Sequence, residues 1–192
     1  IEETTVDKVR NLSRDYDVGV ITDDVFVLTA GVDVQKDHFY YVIRGWGFCE
    51  ESWLIKAERV EYWEDIVDRL FRTEYKRIGS EETLSVYLTC VDSGYRTDEV
   101  YQFCRFWHDK TKAIKGQEEL TDGRFYRATK IDINSRTGSV IHNGLVLWNI
   151  NTMQYKDKIN RLVNSKDPAK WHLFKNISDE YLSQFTAEHK VL

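Results

Sequence analysis

The sequence has 192 residues, of which 42% are hydrophobic and 31% charged, and its formal net charge is −5. This length suits one well-buried domain, and no apolar run approaches the roughly 20 residues that cross a bilayer. The net charge excludes a surface adapted to phosphates over its whole extent. Three cysteines without a CxxC pair predict reduced thiols rather than a disulfide framework or a zinc site.

The first half of the chain predicts a short lead-in followed by three strands. Residues 1–24 are polar and acidic, and a short helix is expected before Asn11. Residues 25–34 form a near-continuous apolar run, which predicts a strand buried on both faces. Two further β-rich runs, at 38–46 and 49–57, follow after polar turns. Together the three runs predict an antiparallel meander.

Helices and strands alternate after this meander. Residues 61–75 have a helical apolar period, and residues 84–92 read as another buried strand. Thr97 is the expected N-cap of a helix at 98–108, because its hydroxyl can accept from free backbone N–H groups. A short strand at 113–116 comes next.

The last third of the chain predicts mixed elements. Residues 117–137 are polar and irregular, which indicates a hairpin or an insertion. Beyond them we predict a strand at 138–150, a helix at 153–164, a short strand at 171–174 and a helix at 179–189. Antiparallel strands followed by parallel strands with crossover helices give an α/β mixed sheet with helices on both faces. This is the RNase H-like (RuvC-type) arrangement, although other α/β folds share parts of the order.

Two aspartates end predicted buried strands, Asp33 after the first run and Asp92 after the run at 84–92. Ligand crevices lie outside the carboxyl ends of strands in open α/β sheets, so the two carboxylates are expected to meet if these strands are parallel neighbours. Their mutual repulsion favours a hard divalent cation, and two such cations can hydrolyse a phosphodiester. Either aspartate alone is more typical of a turn or a helix cap, and only the pair makes a functional site as plausible.

Other catalytic patterns are absent from the sequence. The five histidines are isolated and form no HExxH pair, and no G-x-S-x-G nucleophile elbow occurs. A G-x-x-x-x-G-K-[ST] loop is also absent, so ATP hydrolysis by this chain is not expected.

The segment Leu-Thr-Ala-Gly-Val-Asp-Val-Gln at residues 28–35 resembles the opening nuclease motif of the lambda-type (GpA-like) tailed-phage terminase large subunit. Further landmarks follow in the family's order over about residues 25–190. They are Gly45-Trp46-Gly47, Glu51-Ser52-Trp53, Asp92-Ser93-Gly94, Lys115-Gly116, Lys156-Asp157 and Thr186-Ala187-Glu188.

The resemblance implies an RNase H-like endonuclease that cuts concatemeric viral DNA with Mg²⁺ or Mn²⁺ in the host bacterial cytoplasm. Double-stranded DNA, the terminase ATPase domain, the small terminase subunit and the portal are the partners it implies, with no membrane. Asp33 and Asp92 would be the metal-binding, catalytic carboxylates. Phosphate contacts are expected from Lys115 and Lys156, which match basic family positions, and from Arg124, Arg127 and Lys130 in the basic region.

The sequence departs from the family at its third acid, which relatives carry in a late helix. Asp179 is the expected catalytic substitute, with Asp157 as the other choice. The expected organisation is a lead-in at 1–24 and a nuclease domain at 25–192 that lacks the family's C-terminal helix. Two alternatives remain open: a resolvase- or transposase-like nuclease of the same fold, and a non-catalytic docking or DNA-tracking domain of a packaging motor.

Overall fold

A mixed β-sheet with helices packed against it organises the computed structural model, which describes residues 5–132, 136–137, 139, 144–166 and 168–187. In chain order the elements are α1 (Val6–Arg10), β1 (Val20–Ile21), β2 (Val27–Val34), β3 (Phe39–Trp46), β4 (Ser52–Val60), α2 (Trp63–Val67), β5 (Tyr75–Arg77), β6 (Thr83–Leu84), β7 (Val86–Asp92), α3 (Thr97–Phe106), β8 (Thr111–Gln117), β9 (Tyr126–Lys130), β10 (Val146–Asn151), α4 (Thr152–Val163), β11 (Trp171–His172) and α5 (Asp179–Ala187).

Eight strands of the described residues form the main sheet, in the order β11-β4-β3-β2-β7-β8-β10-β9. Strands β2, β3 and β4 pair antiparallel, which confirms the predicted meander. Strand β7 lies parallel beside β2, and β8 and β10 continue the parallel part. Strand β9 is antiparallel to β10, and β11 is parallel to β4. A small separate sheet has the order β1-β5-β6.

The central strand β2 is covered on one face, where the sequence predicted burial on both. Leu28, Ala30, Val32 and Val34 alternate into the core, whereas Gly31 and Asp33 are exposed on the other face. A Cβ added at Gly31 would meet no atom within 4 Å. The prediction was wrong because small and apolar residues on the open face resemble buried ones in sequence. The sheet therefore has an open floor beside Asp33.

Helices cover the two faces through separate contacts. Trp63 of α2 packs on Phe39 and stacks on Phe103 of α3, with ring centroids 4.5 and 4.3 Å apart. On the open-floor side, Tyr40 of β3 contacts Glu180 of α5. Thr152, the first residue of α4, approaches Gly116 of β8 closely. Helix α2 continues as a single π-helical turn, Asp68–Arg72, so the predicted helix at 61–75 is present but irregular.

The buried guanidinium of Arg44 joins the end of the chain to the sheet. Its Nε donates to Ser52 Oγ at 2.9 Å, and its Nη2 donates to the carbonyl oxygens of Ser52 and His172 at 3.1 and 3.2 Å. The guanidinium carbon lies 3.3 Å from the ring centroid of Trp171. These contacts hold β3, β4 and β11 together. Burial lowers the pKa of Arg44 to about 10.

The lead-in packs against the domain. Val9, Tyr16 and Ile21 are buried, and the Tyr16 hydroxyl donates to the carbonyl oxygen of Leu54 at 2.9 Å. The predicted short helix before Asn11 is confirmed as α1. Whether residues 1–24 form a separate segment stays a prediction.

Several predicted boundaries differ. Arg96, at φ 47°, precedes α3, and the Thr97 hydroxyl donates to the carbonyl oxygen of Ser93 at 2.9 Å, so Thr97 is not the N-cap. Strand β4 starts after a short helical turn, Phe48–Glu50, and therefore later than predicted. The irregular region at 117–137 contains β9, the hairpin partner of β10. Of the predicted strand at 138–150, residues 138 and 140–143 lie outside the described residues, as do residues 188–189 of the last helix.

Candidate active site

Asp33 and Asp92 lie side by side at the carboxyl ends of adjacent parallel strands. Val32 of β2 pairs with Val91 of β7, and the two aspartates are the next residues on each strand. Both valines point into the core, so both carboxylates project from the open face. The structure therefore brings together the two acids that the sequence predicted as neighbours.

Asp92 is half-buried within the loop that follows its own strand. Burial raises the pKa of Asp92 above its usual value, and the negative charge of Asp33 raises it further. The nearby backbone N–H groups of Gly94 and Ser93 lower this pKa, as does the positive charge of Lys115. The Ser93 N–H itself donates to the carbonyl oxygen of Ile114 at 2.8 Å. A Cβ at Gly94 would lie 3.1 Å from Asp92 Oδ2, so the loop approaches the carboxylate closely because this residue has no side chain.

Asp33 is exposed and is held by an amide. Gln35 Nε2 donates to Asp33 Oδ2 at 2.7 Å. The backbone N–H of Gln35 donates to the carbonyl oxygen of His38 at 2.9 Å and closes the turn between β2 and β3. The turn thus places the amide beside the carboxylate.

The pair suits a hard divalent cation. Within the described part of the chain, neither Asp33 nor Asp92 forms a salt bridge, and the donors that contact them are neutral N–H groups. Two adjacent carboxylates without a cationic partner offer the oxygen ligands that Mg²⁺ and Mn²⁺ prefer. Magnesium is commonly bound by one or two carboxylates together with water and substrate phosphate. The residues present therefore fit the metal that the resemblance implies.

A third acid does not join them among the described residues, where no group of three His, Cys, Asp or Glu side chains could hold a metal ion. Asp179 is 85% exposed at the start of α5, and its Oδ1 accepts from Arg10 Nη2 at 2.7 Å. Asp157 is exposed on α4. The geometry lends Asp179 no support as a catalytic residue, and that assignment stays a prediction.

Sequence reasoning missed Glu180, an exposed acid of α5 that contacts Tyr40 of the sheet. The hydroxyl of Tyr40 donates to Glu180 Oε1 at 3.1 Å, and Tyr40 pairs directly with Asp33 across β2 and β3. Consecutive helical residues point about 100° apart, so Asp179 and Glu180 face different neighbours. The signal in the sequence was the helix start at 178–180, but only the packing of α5 shows which of the two acids contacts the sheet.

The predicted DNA-contacting residues lie in different places. Lys115 is exposed near the end of β8, and Arg127 is exposed as the second residue of β9. Lys130 ends β9, and Lys156 is partly buried on α4. Arg124, in the loop before β9, is 3.5 Å from Asp122 in an ion pair. The five residues therefore do not form one cluster.

Fold and site together define a class: a mixed α/β domain with an uncompensated pair of carboxylates at the carboxyl edge of its sheet. The family described as "Terminase large subunit gpA, endonuclease domain" matches residues 1–192, and the chain belongs to this family. The resemblance read from residues 28–35 and the later motifs is thereby confirmed.

Comparison with individual proteins gives a partial match. The terminase large subunit of Escherichia phage lambda is 36% identical over 81 residues, which cover 38% of this chain and 12% of that protein. The chain thus spans a small part of the length of this relative. No solved structure matches. None of the helices in the described residues is long and apolar enough to span a membrane.

Proposed function

We propose that this chain hydrolyses phosphodiester bonds of double-stranded viral DNA, as the metal-dependent endonuclease domain of a packaging terminase. One observation carries the proposal: Asp33 and Asp92 are adjacent on parallel strands and have no cationic partner among the described residues. The family to which the chain belongs supports nuclease activity.

The same proposal includes an RNase H-like fold. Its support is the run β4-β3-β2-β7-β8, in which three antiparallel strands adjoin two strands parallel to the first. Strands β10, β9 and β11 extend this unit at its two edges. Helices α2 and α3 on one face and α5 on the other agree with such a fold.

In the proposed reaction Asp33 and Asp92 hold two divalent metal ions. When bound, such a pair of Mg²⁺ or Mn²⁺ ions activates the attacking water and stabilises the leaving oxygen. The protein contributes two carboxylates at the ends of adjacent strands, and a neutral amide contacts Asp33. Gln35 orients Asp33, and the loop at Gly94 approaches Asp92 closely. The exposed floor at Gly31 leaves room for the DNA backbone.

The same proposal includes the role in viral DNA packaging that the family suggests. The substrate would be concatemeric DNA in the host bacterial cytoplasm, with the terminase ATPase domain, the small subunit and the portal as partners. Asp179 remains the sequence-based candidate for a further acid, and Glu180 is the candidate that the packing of α5 favours.

Plasmid cleavage with Mn²⁺, Mg²⁺ or EDTA tests the proposal directly. We expect metal-dependent cutting that Asp33→Asn and Asp92→Asn abolish. Asp109→Asn is the matched control. This exposed aspartate precedes β8 and therefore lies at the opposite end of the strands from Asp33 and Asp92. Retention of wild-type cleavage by Asp33→Asn would refute the site.

A docking or DNA-tracking domain without catalysis is the second candidate. The absence of a three-acid group within the described residues and the net charge of −5 favour it. Titration with Mn²⁺ separates the two functions, since a docking domain should show no saturable binding that depends on Asp33 and Asp92.

A further inference from the structure

Three residues on β8, β10 and β9 lie side by side in a row near one edge of the main sheet. Lys115 of β8 pairs with Asn149 of β10, and Asn149 pairs with Arg127 of β9. Paired residues on neighbouring strands project from the same face, so the two cations flank Asn149 on one surface. Two strand spacings place their Cα atoms roughly 10 Å apart.

Asn149 makes this row rigid. Its side chain lies in the core face of the sheet, and the residue is 6% exposed. Gln117 Nε2 donates to Asn149 Oδ1 at 2.8 Å, and Asn149 Nδ2 donates to Thr129 Oγ1 at 3.1 Å and to the carbonyl oxygen of Arg127 at 3.4 Å. A buried amide with its partners satisfied fixes the strands that it joins. The spacing between Lys115 and Arg127 is therefore set by the sheet.

The two cations of the row are not neutralised. Both are exposed, and neither pairs with an acid within the described residues. Other cations nearby behave differently: Arg124 pairs with Asp122, and Arg105 pairs with Asp132 at 2.6 Å. Two unpaired positive charges on a chain of net charge −5 form a local site for a polyanion.

The row begins beside the carboxylates. Ile114 of β8 pairs with Asp92. Lys115 is the next residue on β8, so its side chain projects from the face opposite the carboxylates, near the carboxyl ends of the same strands. A DNA strand that crosses the carboxyl edge of the sheet can therefore meet the acids on one face and the row on the other.

We propose that Lys115 and Arg127 bind two phosphates of the DNA backbone where the DNA passes the face of the sheet opposite the carboxylates, and that Asn149 holds them in position. The inference rests on the proposed nuclease function and narrows the DNA contacts to two residues. Lys130 is excluded although it lies on the same strand, because it stands three positions from Arg127 and so projects from the other face. Arg124 is excluded by its pairing with Asp122.

The test measures binding of a short DNA duplex by fluorescence anisotropy across a series of NaCl concentrations, in EDTA so that no cutting occurs. Each phosphate contact contributes a slope of about −0.9 to log K against log salt. We expect Lys115→Ala and Arg127→Ala each to flatten the slope by about 0.9, and the double variant by about 1.8. Lys130→Ala, the matched control, should leave the slope unchanged.

The outcomes separate this inference from the proposed function. Equal effects of Lys130→Ala and Arg127→Ala would overturn the two proposed phosphate contacts and indicate diffuse electrostatic attraction instead. Unchanged slopes for Lys115→Ala and Arg127→Ala, with metal-dependent plasmid cleavage intact, would overturn the row alone. No DNA binding by the unsubstituted chain, together with no cleavage, would reject both. Circular dichroism of each variant verifies that these exposed substitutions leave the fold intact.

Discussion

Gln35 Nε2 lies 2.7 Å from Asp33 Oδ2, so the first carboxylate of the candidate site is held by an uncharged donor. A lysine at this position would orient the carboxylate equally well but would cancel the charge that attracts a divalent cation. The amide contacts one oxygen of Asp33 and adds no charge, so the negative charge of the carboxylate stays available to the proposed metal ion.

The first prediction concerns this amide. Partners that hold a metal-ligating carboxylate typically contribute 10- to 100-fold to metal affinity or activity. Gln35→Ala should therefore weaken Mn²⁺ binding by about 10-fold, and Gln35→Lys should weaken it more, because the ammonium competes with the metal. Isothermal titration with Mn²⁺ measures both, with Gln102→Ala on the exposed side of α3 as control. Equal affinities for Gln35→Ala and the unsubstituted chain would show that the amide has no positioning role.

The second prediction concerns the effect of the Asp92 charge on the free energy of unfolding of the metal-free protein. Because the pKa of Asp92 is raised in the folded state, the folded state binds more protons than the unfolded state between the usual and the raised pKa. Stability contributed by the protonated form is thus lost as pH rises through that interval. Asp92→Asn should increase the free energy of unfolding at pH 7 by about 0.5 kcal/mol or less, since solvent screens a half-exposed charge.

Urea unfolding of both proteins at pH 3.5 and pH 7 in EDTA tests this sign. The difference between Asp92→Asn and the unsubstituted chain should shrink toward pH 3.5, where Asp92 is mostly protonated in both states. A variant that is less stable than the unsubstituted chain at pH 7 would contradict the assigned direction.

The third prediction concerns the close approach of Gly94 to Asp92. Gly94→Ala places a Cβ about 3.1 Å from Asp92 Oδ2 and forces the carboxylate to shift. Gly94 is not among the residues with positive φ, so the substitution adds no backbone strain. We expect Mn²⁺ affinity to fall several-fold, up to about 10-fold, with little loss of stability. Gly31→Ala is the matched control, because its Cβ meets open space on the same face; an equal loss in both variants would rule out the steric explanation.

The fourth prediction concerns the buried guanidinium of Arg44. Arg44→Met leaves the carbonyl oxygens of Ser52 and His172 without their donor in the core. Unsatisfied buried acceptors cost about 1–3 kcal/mol each, so we expect a loss of roughly 3 kcal/mol in the free energy of unfolding. Arg59→Met, an exposed residue of the adjacent strand paired with Glu61 at 3.6 Å, should change stability by less than about 0.5 kcal/mol. Chemical denaturation compares them, and similar midpoints would contradict the anchoring role.

The sequence predicted the positions of Asp33 and Asp92 because both follow apolar β-runs, and strand ends are the easiest feature of such runs to locate. It did not reveal that one face of β2 is open, since Gly31 and Thr29 are as compatible with a core as with a floor. The choice between Asp179 and Glu180 depends on how α5 is rotated against β3, which is a property of packing. The pairing of Arg127 with Asn149 joins residues 22 positions apart and has no local signature.

Strand β9 has one further consequence. All five of its residues are exposed, and within the part of the chain that the structure describes it is bonded to the sheet through β10 alone. Its side chains can therefore change without disturbing the packing around Asp33 and Asp92. In the proposed function, the DNA contact at Arg127 lies on a strand that can vary independently of the carboxylates, so relatives can differ there while sharing one chemistry.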